Sequence, residues 1–310
     1  MEKKKIIAVV GPTASGKTSL AIEISTRFNG EVVSADSMQI YKGMDIASAK
    51  PSYDEMQGIT HHLISLKDNN ERYSVASFVE DCDKICRDII SRNKLPIICG
   101  GTGLYIDSFV NNIKFIEESF NDDIRKKLNE RLETEGAETL FKELSEIDKE
   151  YAITLHKNNT KRVLRALELY YNTGVKMSEQ LEKSRINKSD FDCLYIGINY
   201  HDRNKLYDRI NQRVDKMISD GLLEEAKDFL KLNDIKTANQ AIGIKELKPY
   251  FDGDISLDDA IEKIKQETRR YAKRQLTWFN RNEKINWIFA DETENVNEKA
   301  FDLVDEFLRG

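Results

Sequence analysis

The octapeptide Gly11-Pro12-Thr13-Ala14-Ser15-Gly16-Lys17-Thr18 constrains this chain more than any other feature, because it fits the pattern G-x-x-x-x-G-K-[ST]. At ordinary residue frequencies a chance match in a chain of this length is on the order of one per cent. The flanks are those the pattern requires: the apolar run Ile6 to Val10 precedes it, and Leu20, Ile24 and Phe28 follow at helical spacing. Backbone N–H groups converging at a helix N-terminus, with the Lys17 ammonium beside them, cradle a chain of phosphates. The Thr18 hydroxyl is placed to complete a magnesium shell.

The same strand–helix alternation continues. Val32 to Ala35 and Pro96 to Cys99 are short apolar runs, and the stripe Val75, Phe78, Val79, Cys82, Ile85, Cys86, Ile89 lies between them. Continuous apolar strands separated by amphipathic helices predict an α/β fold, a phosphate-binding core whose parallel sheet is flanked by helices on both faces. Cys193 to Ile198 and Ile285 to Phe289 are two further strand candidates, and helical patterns run from Asp202 to Asp220 and Leu257 to Asn282. From Glu117 to Asp190 only helices are expected, with Asn121 and Asn159 as N-caps and Gly136 and Gly174 as C-caps. The expected division is therefore a core of residues 1–116 and 191–310 carrying an all-helical insertion, 117–190.

The formal charge of −6 excludes a globally basic coat, though not a local patch. Four cysteines without neighbouring histidines suit core positions in a reducing compartment better than a disulfide or zinc framework. Lys3, Lys4 and Lys5 before an apolar run resemble the start of a signal peptide, but the run is too short and Gly11 interrupts it. No window approaches the ~20 apolar residues of a membrane span, so a cytoplasmic protein is expected.

What the phosphates belong to is decided elsewhere. The strand Pro96 to Cys99 runs into Gly100-Gly101-Thr102-Gly103, which carries no acid; Asp36, after Val32 to Ala35, is the well-placed carboxylate. It can organise a metal, act as a base on an acceptor, or simply cap the next turn.

Taken together, these words resemble the family of tRNA dimethylallyltransferases, the bacterial-type tRNA isopentenyltransferases. The resemblance rests on an ordered set: the Gly11–Thr18 loop, Asp36-Ser37-Met38-Gln39-Ile40-Tyr41, Ala49-Lys50-Pro51 and Gly100-Gly101-Thr102-Gly103-Leu104-Tyr105. Further on come Lys161-Arg162 with Arg165, Arg209 with Arg213, Gln240-Ala241-Ile242-Gly243, and Ala272-Lys273-Arg274-Gln275-Leu276-Thr277-Trp278. Two positions depart from the family pattern: Ser65 stands where Asp is frequent, and Ile244 where Tyr is usual. The zinc-finger extension of many eukaryotic relatives is absent, which favours a bacterial-type enzyme.

The resemblance implies that dimethylallyl diphosphate seats its diphosphate on Gly11, Pro12, Thr13, Ala14, Ser15, Gly16, Lys17 and Thr18, with Mg²⁺ on Thr18. The acceptor is the exocyclic amine of adenosine 37, beside the anticodon. Asp36 takes a proton from that amine, while Lys17 and Arg213 stabilise the departing diphosphate and Thr102 holds the acceptor or the donor. The anticodon stem-loop is expected on Asp36, Ser37, Met38, Gln39, Thr102, Arg125, Lys161, Arg162, Arg165, Gln240, Gly243, Lys273 and Arg274. A monomer is expected, and the sequence leaves ATP binding open.

The charge pattern supports an RNA partner independently. Between Lys263 and Lys284 eight residues are basic and two acidic, a net +6, leaving −12 for the remainder of the chain. A concentrated basic segment on an acidic protein is the electrostatic footprint of a phosphate-backbone contact. Tyr271 and Trp278, seven apart in that segment, are expected to face the core. The rival readings are an adenylate isopentenyltransferase, which has little use for the basic insertion; a small-molecule kinase, which needs ATP turnover; and a non-catalytic RNA-binding module, which needs no phosphate loop.

Overall fold

The computed structural model describes residues 3–115, 122–184, 189–232 and 241–310. They form two compact units, Met1–Val110 with Ser189–Gly310, and Asn111–Lys188. The first contains six strands: β1 (Lys4–Val10), β2 (Gly30–Ser34), β3 (His61–His62), β4 (Leu95–Gly100), β5 (Phe191–Asn199) and β6 (Ile285–Phe289). All pair in parallel, in the order β3-β2-β4-β1-β5-β6. The five apolar runs are therefore strands. The sixth, β3, has two residues, too few to announce itself by periodicity.

Helices α1 (Lys17–Arg27) and α13 (Val296–Arg309) cover one face, where Leu20, Ile24, Ala300 and Val304 meet Ile7, Val9, Ile97, Ile196 and Ile288. The alternate residues Ile6, Ala8, Val10 and Ile98 are equally buried on the other face, towards α2 (Val75–Ser91) and α3 (Gly103–Val110). Phe78 of α2 stacks on Tyr105 of α3 with ring centroids 4.6 Å apart. Burial on both faces is why these strands read as unbroken apolar runs. Helices α9 (Arg203–Ser219) and α12 (Leu257–Phe279) pack together through Leu206, Ile210 and Ala272, with α10 (Leu222–Leu230) and α11 (Ile244–Phe251) beside them.

The strand order positions the site. From β1 the chain crosses to β2 on one side; from β4 it departs to β5 on the other. The order thus reverses between β1 and β4, and a crevice opens beyond their carboxyl ends. The Gly11–Thr18 loop, Asp36 and Gly100 to Thr102 all follow carboxyl ends of strands there.

The second unit holds α4 (Asp122–Glu135), α5 (Ala137–Ile147), α6 (Lys149–Ala152), α7 (Thr160–Thr173) and α8 (Met177–Lys183), and no strand among its described residues. It has its own core of Leu128, Leu140, Leu144, Val163, Leu164 and Leu167. Gly174 ends α7 in the left-handed conformation at φ 72°. Gly136, at φ 83°, links α4 to α5. Asn159 precedes α7 without a side-chain cap bond, and Asn121 lies outside the described residues. Ser189 and Asp190 go with the sheet: the Asp190 carbonyl accepts from the Lys4 N–H at 2.9 Å, and its carboxylate pairs with Arg87.

All four cysteines are free thiols; Cys82, Cys86 and Cys99 are buried and Cys193 is half-buried. Among the described residues, no group of three or more His, Cys, Asp or Glu is placed to hold a metal, and no helix is long and apolar enough to cross a membrane.

Candidate active site

The phosphate loop holds a backbone that ordinary residues avoid. Gly11 has φ 147° and Gly16 φ 100°, and Ala14 sits at φ 63° without being glycine. A Cβ on Gly11 would lie 2.4 Å from the Ile198 carbonyl of β5, so only glycine lets the loop pass the strand. Arg209 holds the strained residue: its Nε donates to the Ala14 carbonyl at 2.9 Å while its guanidinium lies over the Tyr200 ring. The Ser15 hydroxyl is buried without a hydrogen-bond partner in the loop's own structure. An unpaired buried hydroxyl costs about 1–3 kcal/mol, so its presence inside an amide cradle points to a ligand oxygen.

In front of the loop lies a cavity of about 280 Å³. Thr13, Lys17, Thr18 and Arg213 line it, and so do Asp36, Ser37, Met38 and Gln39. Asp36 is the single carboxylate among its described lining residues; Lys245 and Arg274 add two more cations. Apolar wall is supplied by Ala47, Ala49, Ile64, Met217, Ile242 and Ile264. A second hollow, of about 340 Å³, lies along the loop between Lys17, Arg209, Arg213 and Lys216.

The electrostatics follow from crowding cations where water is scarce. Burial pulls the Lys17 ammonium below its ordinary value; Arg213 acts the same way, while Cys99 and Asp36 oppose. Arg213 is likewise lowered, chiefly by burial, with Asp36 and Glu55 opposing. Both charges thus stand desolvated and under-neutralised, a state that an incoming polyanion relieves. The Cys99 thiol, next to Lys17, is pushed up to about 11 by burial and stays neutral near neutral pH; it donates to the Lys17 carbonyl at 3.6 Å.

Asp36 does two things at once. Its Oδ1 accepts from the Met38 and Gln39 N–H groups at 2.8 and 3.3 Å, capping the turn after β2, and the residue also faces the cavity. The capping reading holds, and the capping residue also lines the cavity. Thr102 lies behind this turn: its N–H donates to the Ala35 carbonyl and its hydroxyl accepts from the Ser37 N–H, each at 3.2 Å, and it is not among the lining residues. It braces the Asp36 turn. Gln39 is engaged too: it accepts from Ser34 and donates to the Ser48 and Ala49 carbonyls, fixing the loop that forms the apolar wall. Glu225 of α10 secures that loop from outside, accepting from the N–H groups of Asp45, Ile46 and Ala47 at 2.8 Å each.

The residues expected to touch RNA separate into three groups. Lys161 and Arg162 are exposed on α7, and Lys273 and Arg274 on α12, with Arg274 also over the Tyr271 ring. Arg125 and Arg165 both turn to Glu168, at 3.1 and 3.2 Å. Gly243 starts α11 at φ 102° with its N–H donating to Glu246, a helix-capping position packed towards Leu222; Gln240 lies outside the described residues. On α12, Lys263 and Arg270 pair with Glu267, and Lys265 pairs with Asp215 and Glu262, so only part of the +6 segment is left to meet phosphates. Ile244 is fully buried, which makes its departure from Tyr a packing matter, and Ser65 accepts from Lys50 at 2.9 Å.

Three site residues escaped the sequence. Tyr271, expected in the core, lines the cavity, and burial raises the pKa of its hydroxyl. His61 of the two-residue β3 also lines it; its Nδ1 faces the Ile59 carbonyl at 2.9 Å, and burial lowers its pKa. Gln275 is the third; the signal was there, a glutamine inside the buried stripe Ile264, Ala272, Phe279 of α12. Trp278 is half-buried, its indole N–H donating to Asp107 at 2.6 Å.

Comparison with known proteins places this geometry. The family model described as IPP transferase matches residues 39–282, and the one described as isopentenyl transferase matches residues 4–71. The chain is 46% identical over 309 residues to a tRNA dimethylallyltransferase of Caldanaerobacter subterraneus subsp. tengcongensis, covering 99% of this chain and 98% of that one. A counterpart from Acetivibrio thermocellus is 47% identical over 292 residues, 94% of this chain and 93% of its own. Among crystal structures, a tRNA delta(2)-isopentenylpyrophosphate transferase of Staphylococcus epidermidis superposes with a TM-score of 0.71 at 40% identity, over 99% of each chain. A eukaryotic dimethylallyltransferase acting on tRNA superposes with a TM-score of 0.84 at 31% identity, over 99% of this chain and 80% of that one.

Proposed function

The chain belongs to the tRNA dimethylallyltransferase family, and on that premise we propose how its cavity prenylates adenosine 37 of tRNA from dimethylallyl diphosphate. One observation carries the reading: a single carboxylate, Asp36, shares a 280 Å³ cavity with the phosphate loop, Lys17 and Arg213.

The diphosphate sits on the loop amides and the Ser15 hydroxyl, and its prenyl group meets the apolar wall. The adenine amine is a poor nucleophile because its lone pair is delocalised into the ring. Asp36, already oriented through Oδ1, takes an amine proton as the amine nitrogen bonds to the allylic carbon and the carbon–oxygen bond to diphosphate breaks. Negative charge grows on the departing diphosphate. Lys17 and Arg213, held desolvated beforehand, stabilise that charge more in the transition state than in the ground state.

Mg²⁺ fits the donor set. It takes oxygen ligands, keeps several waters and is commonly held by one or two protein groups plus substrate phosphates. Thr18 supplies such a hydroxyl on the cavity wall, and no zinc-type cluster of His, Cys, Asp or Glu is found among the described residues. When bound, the ion neutralises charge on the diphosphate. The exposed Lys161 and Arg162 of the helical unit, and Lys273 and Arg274 of the first, contact the anticodon stem-loop of a tRNA bound to a cytoplasmic, monomeric enzyme.

Incubation with labelled dimethylallyl diphosphate, or with γ-labelled ATP, in the presence of tRNA, AMP or neither tests this. Label from the prenyl donor in tRNA alone is expected. Label in AMP would favour the adenylate isopentenyltransferase, and phosphate transfer from ATP would favour a kinase.

A further inference from the structure

We propose that Gln275 is a positioning residue that sets the distance between the prenyl donor and the acceptor amine by tying the loop that holds one to the loop that holds the other. The inference rests on the functional reading above. Gln275 occupies a core position of α12, 5% exposed, in line with Ala272 and Phe279. A carboxamide there is destabilising unless both of its ends are bonded. Both are: Oε1 accepts from the Thr13 N–H of the phosphate loop at 2.8 Å, and Nε2 donates to the Gly101 carbonyl at 3.1 Å. Thr13 N–H can only donate and the Gly101 carbonyl can only accept, so the two partners dictate which way round the amide lies.

What the amide joins matters more than the bonds themselves. Thr13 belongs to the cradle for the diphosphate. Gly101 is followed by Thr102, which bonds the Ala35 carbonyl and the Ser37 N–H on either side of Asp36. The linkage therefore runs from donor loop to acceptor base through one side chain. Tyr271, one turn before Gln275 on α12, lines the cavity beside this linkage. Gly101 shows how tight the fit is: a Cβ there would stand 1.9 Å from Nε2. Transfer between two bound reactants depends steeply on their separation, and a displacement of ~1 Å can lower the rate ~100-fold. Because the role proposed for Gln275 is to hold the two loops in register, its loss should act on the rate of transfer.

The test is single-turnover prenylation by the full-length enzyme with saturating dimethylallyl diphosphate and tRNA, beside the dissociation constant of each substrate. Gln275→Met keeps the volume and removes both bonds. It should slow the single-turnover rate ~30- to 100-fold and change both dissociation constants by less than ~3-fold. Gly101→Ala, which pushes into the amide, should slow the same step. In the Gln275→Ala background, where that space is free, Gly101→Ala should add nothing further. A Gln275→Met rate within ~3-fold of wild type, a loss confined to substrate affinity, or additive losses in the double variant would each overturn the positioning role. Should Gln275→Met fail to fold, Gly101→Ala alone decides: a wild-type rate overturns the role, a slowed step with unchanged affinities supports it. Wild-type enzyme that labels no tRNA would overturn the functional reading instead, a distinct outcome.

Discussion

At the scale of single residues, the site separates groups that meet substrate from groups that hold them in place. Lys17 and Arg213 line the cavity, whereas Arg209, one turn from Arg213, is committed to the Ala14 carbonyl and the Tyr200 ring. Lys17→Ala is expected to lower turnover at least ~1,000-fold while tRNA affinity stays within ~3-fold, because a buried ammonium serving the departing diphosphate has no phosphate backbone to touch. Steady-state rates and filter binding check this; unchanged turnover would remove the loop from the mechanism. Asp36→Asn keeps an oxygen for the Met38 and Gln39 N–H groups, so the turn should survive while proton acceptance is lost. The chemical step should fall ~100-fold or more with little change in affinity. If added magnesium restored the rate, Asp36 would be a metal organiser and not the base. Spacing in the sequence shows Lys17, Asp36 and Arg213 because each carries charge in a short, recognisable pattern. It does not reveal that the Thr102 hydroxyl accepts from the Ser37 N–H and so braces the turn that carries Asp36.

At the scale of elements, the Glu31 carboxylate shows how the sheet edge is held. It is 2% exposed on β2, and Arg92, Lys94 and His62 approach it at 2.5, 2.8 and 2.7 Å. Hydrogen bonds from Arg92 above all, then from Lys94 and His62, hold its pKa well below the ordinary carboxylate value of 4.5 against the opposing effect of burial. A folded-state pKa below the unfolded one contributes stability that is complete above ~4.5 and is lost as pH falls through 4.5 towards the folded value. Glu31→Gln should therefore be less stable by about 1–3 kcal/mol near pH 7, a figure kept small because its cationic partners are partly exposed. Thermal melts of the two proteins from pH 7 to pH 3 should converge below pH ~4.5. Parallel curves would mean that Glu31 does not carry this share of the acid sensitivity. Apolar periodicity could reveal β2 but not this pairing, since Glu31 and Arg92 are brought together only when β2 joins the sheet beside the end of α2.

At the scale of the whole molecule, each unit has its own buried core, so the helical one should be removable. Joining Val110 to Ser189 by a short linker, which keeps Asp190 for its bonds with Lys4 and Arg87, should leave a cooperative melt and native helix and strand content by circular dichroism. The shortened protein should lose measurable affinity for the anticodon stem-loop, because Lys161 and Arg162 go with the deleted unit. Full affinity in filter binding would assign that unit another role.

The parallel strands, the helices that flank them and the family were legible in the sequence alone. Their signals are local: a fixed octapeptide, unbroken apolar runs, helical spacing without strand breaks, and charged words in a set order. Tertiary structure alone decided that Gln275 joins Thr13 to Gly101, that Tyr271 and His61 line the cavity, and that Arg125 and Arg165 turn to Glu168. Those pairings bring together residues as many as 262 positions apart, and a neutral amide or a two-residue strand leaves no periodic trace. Periodicity tells which face of an element is buried; only the packed fold tells what that face meets.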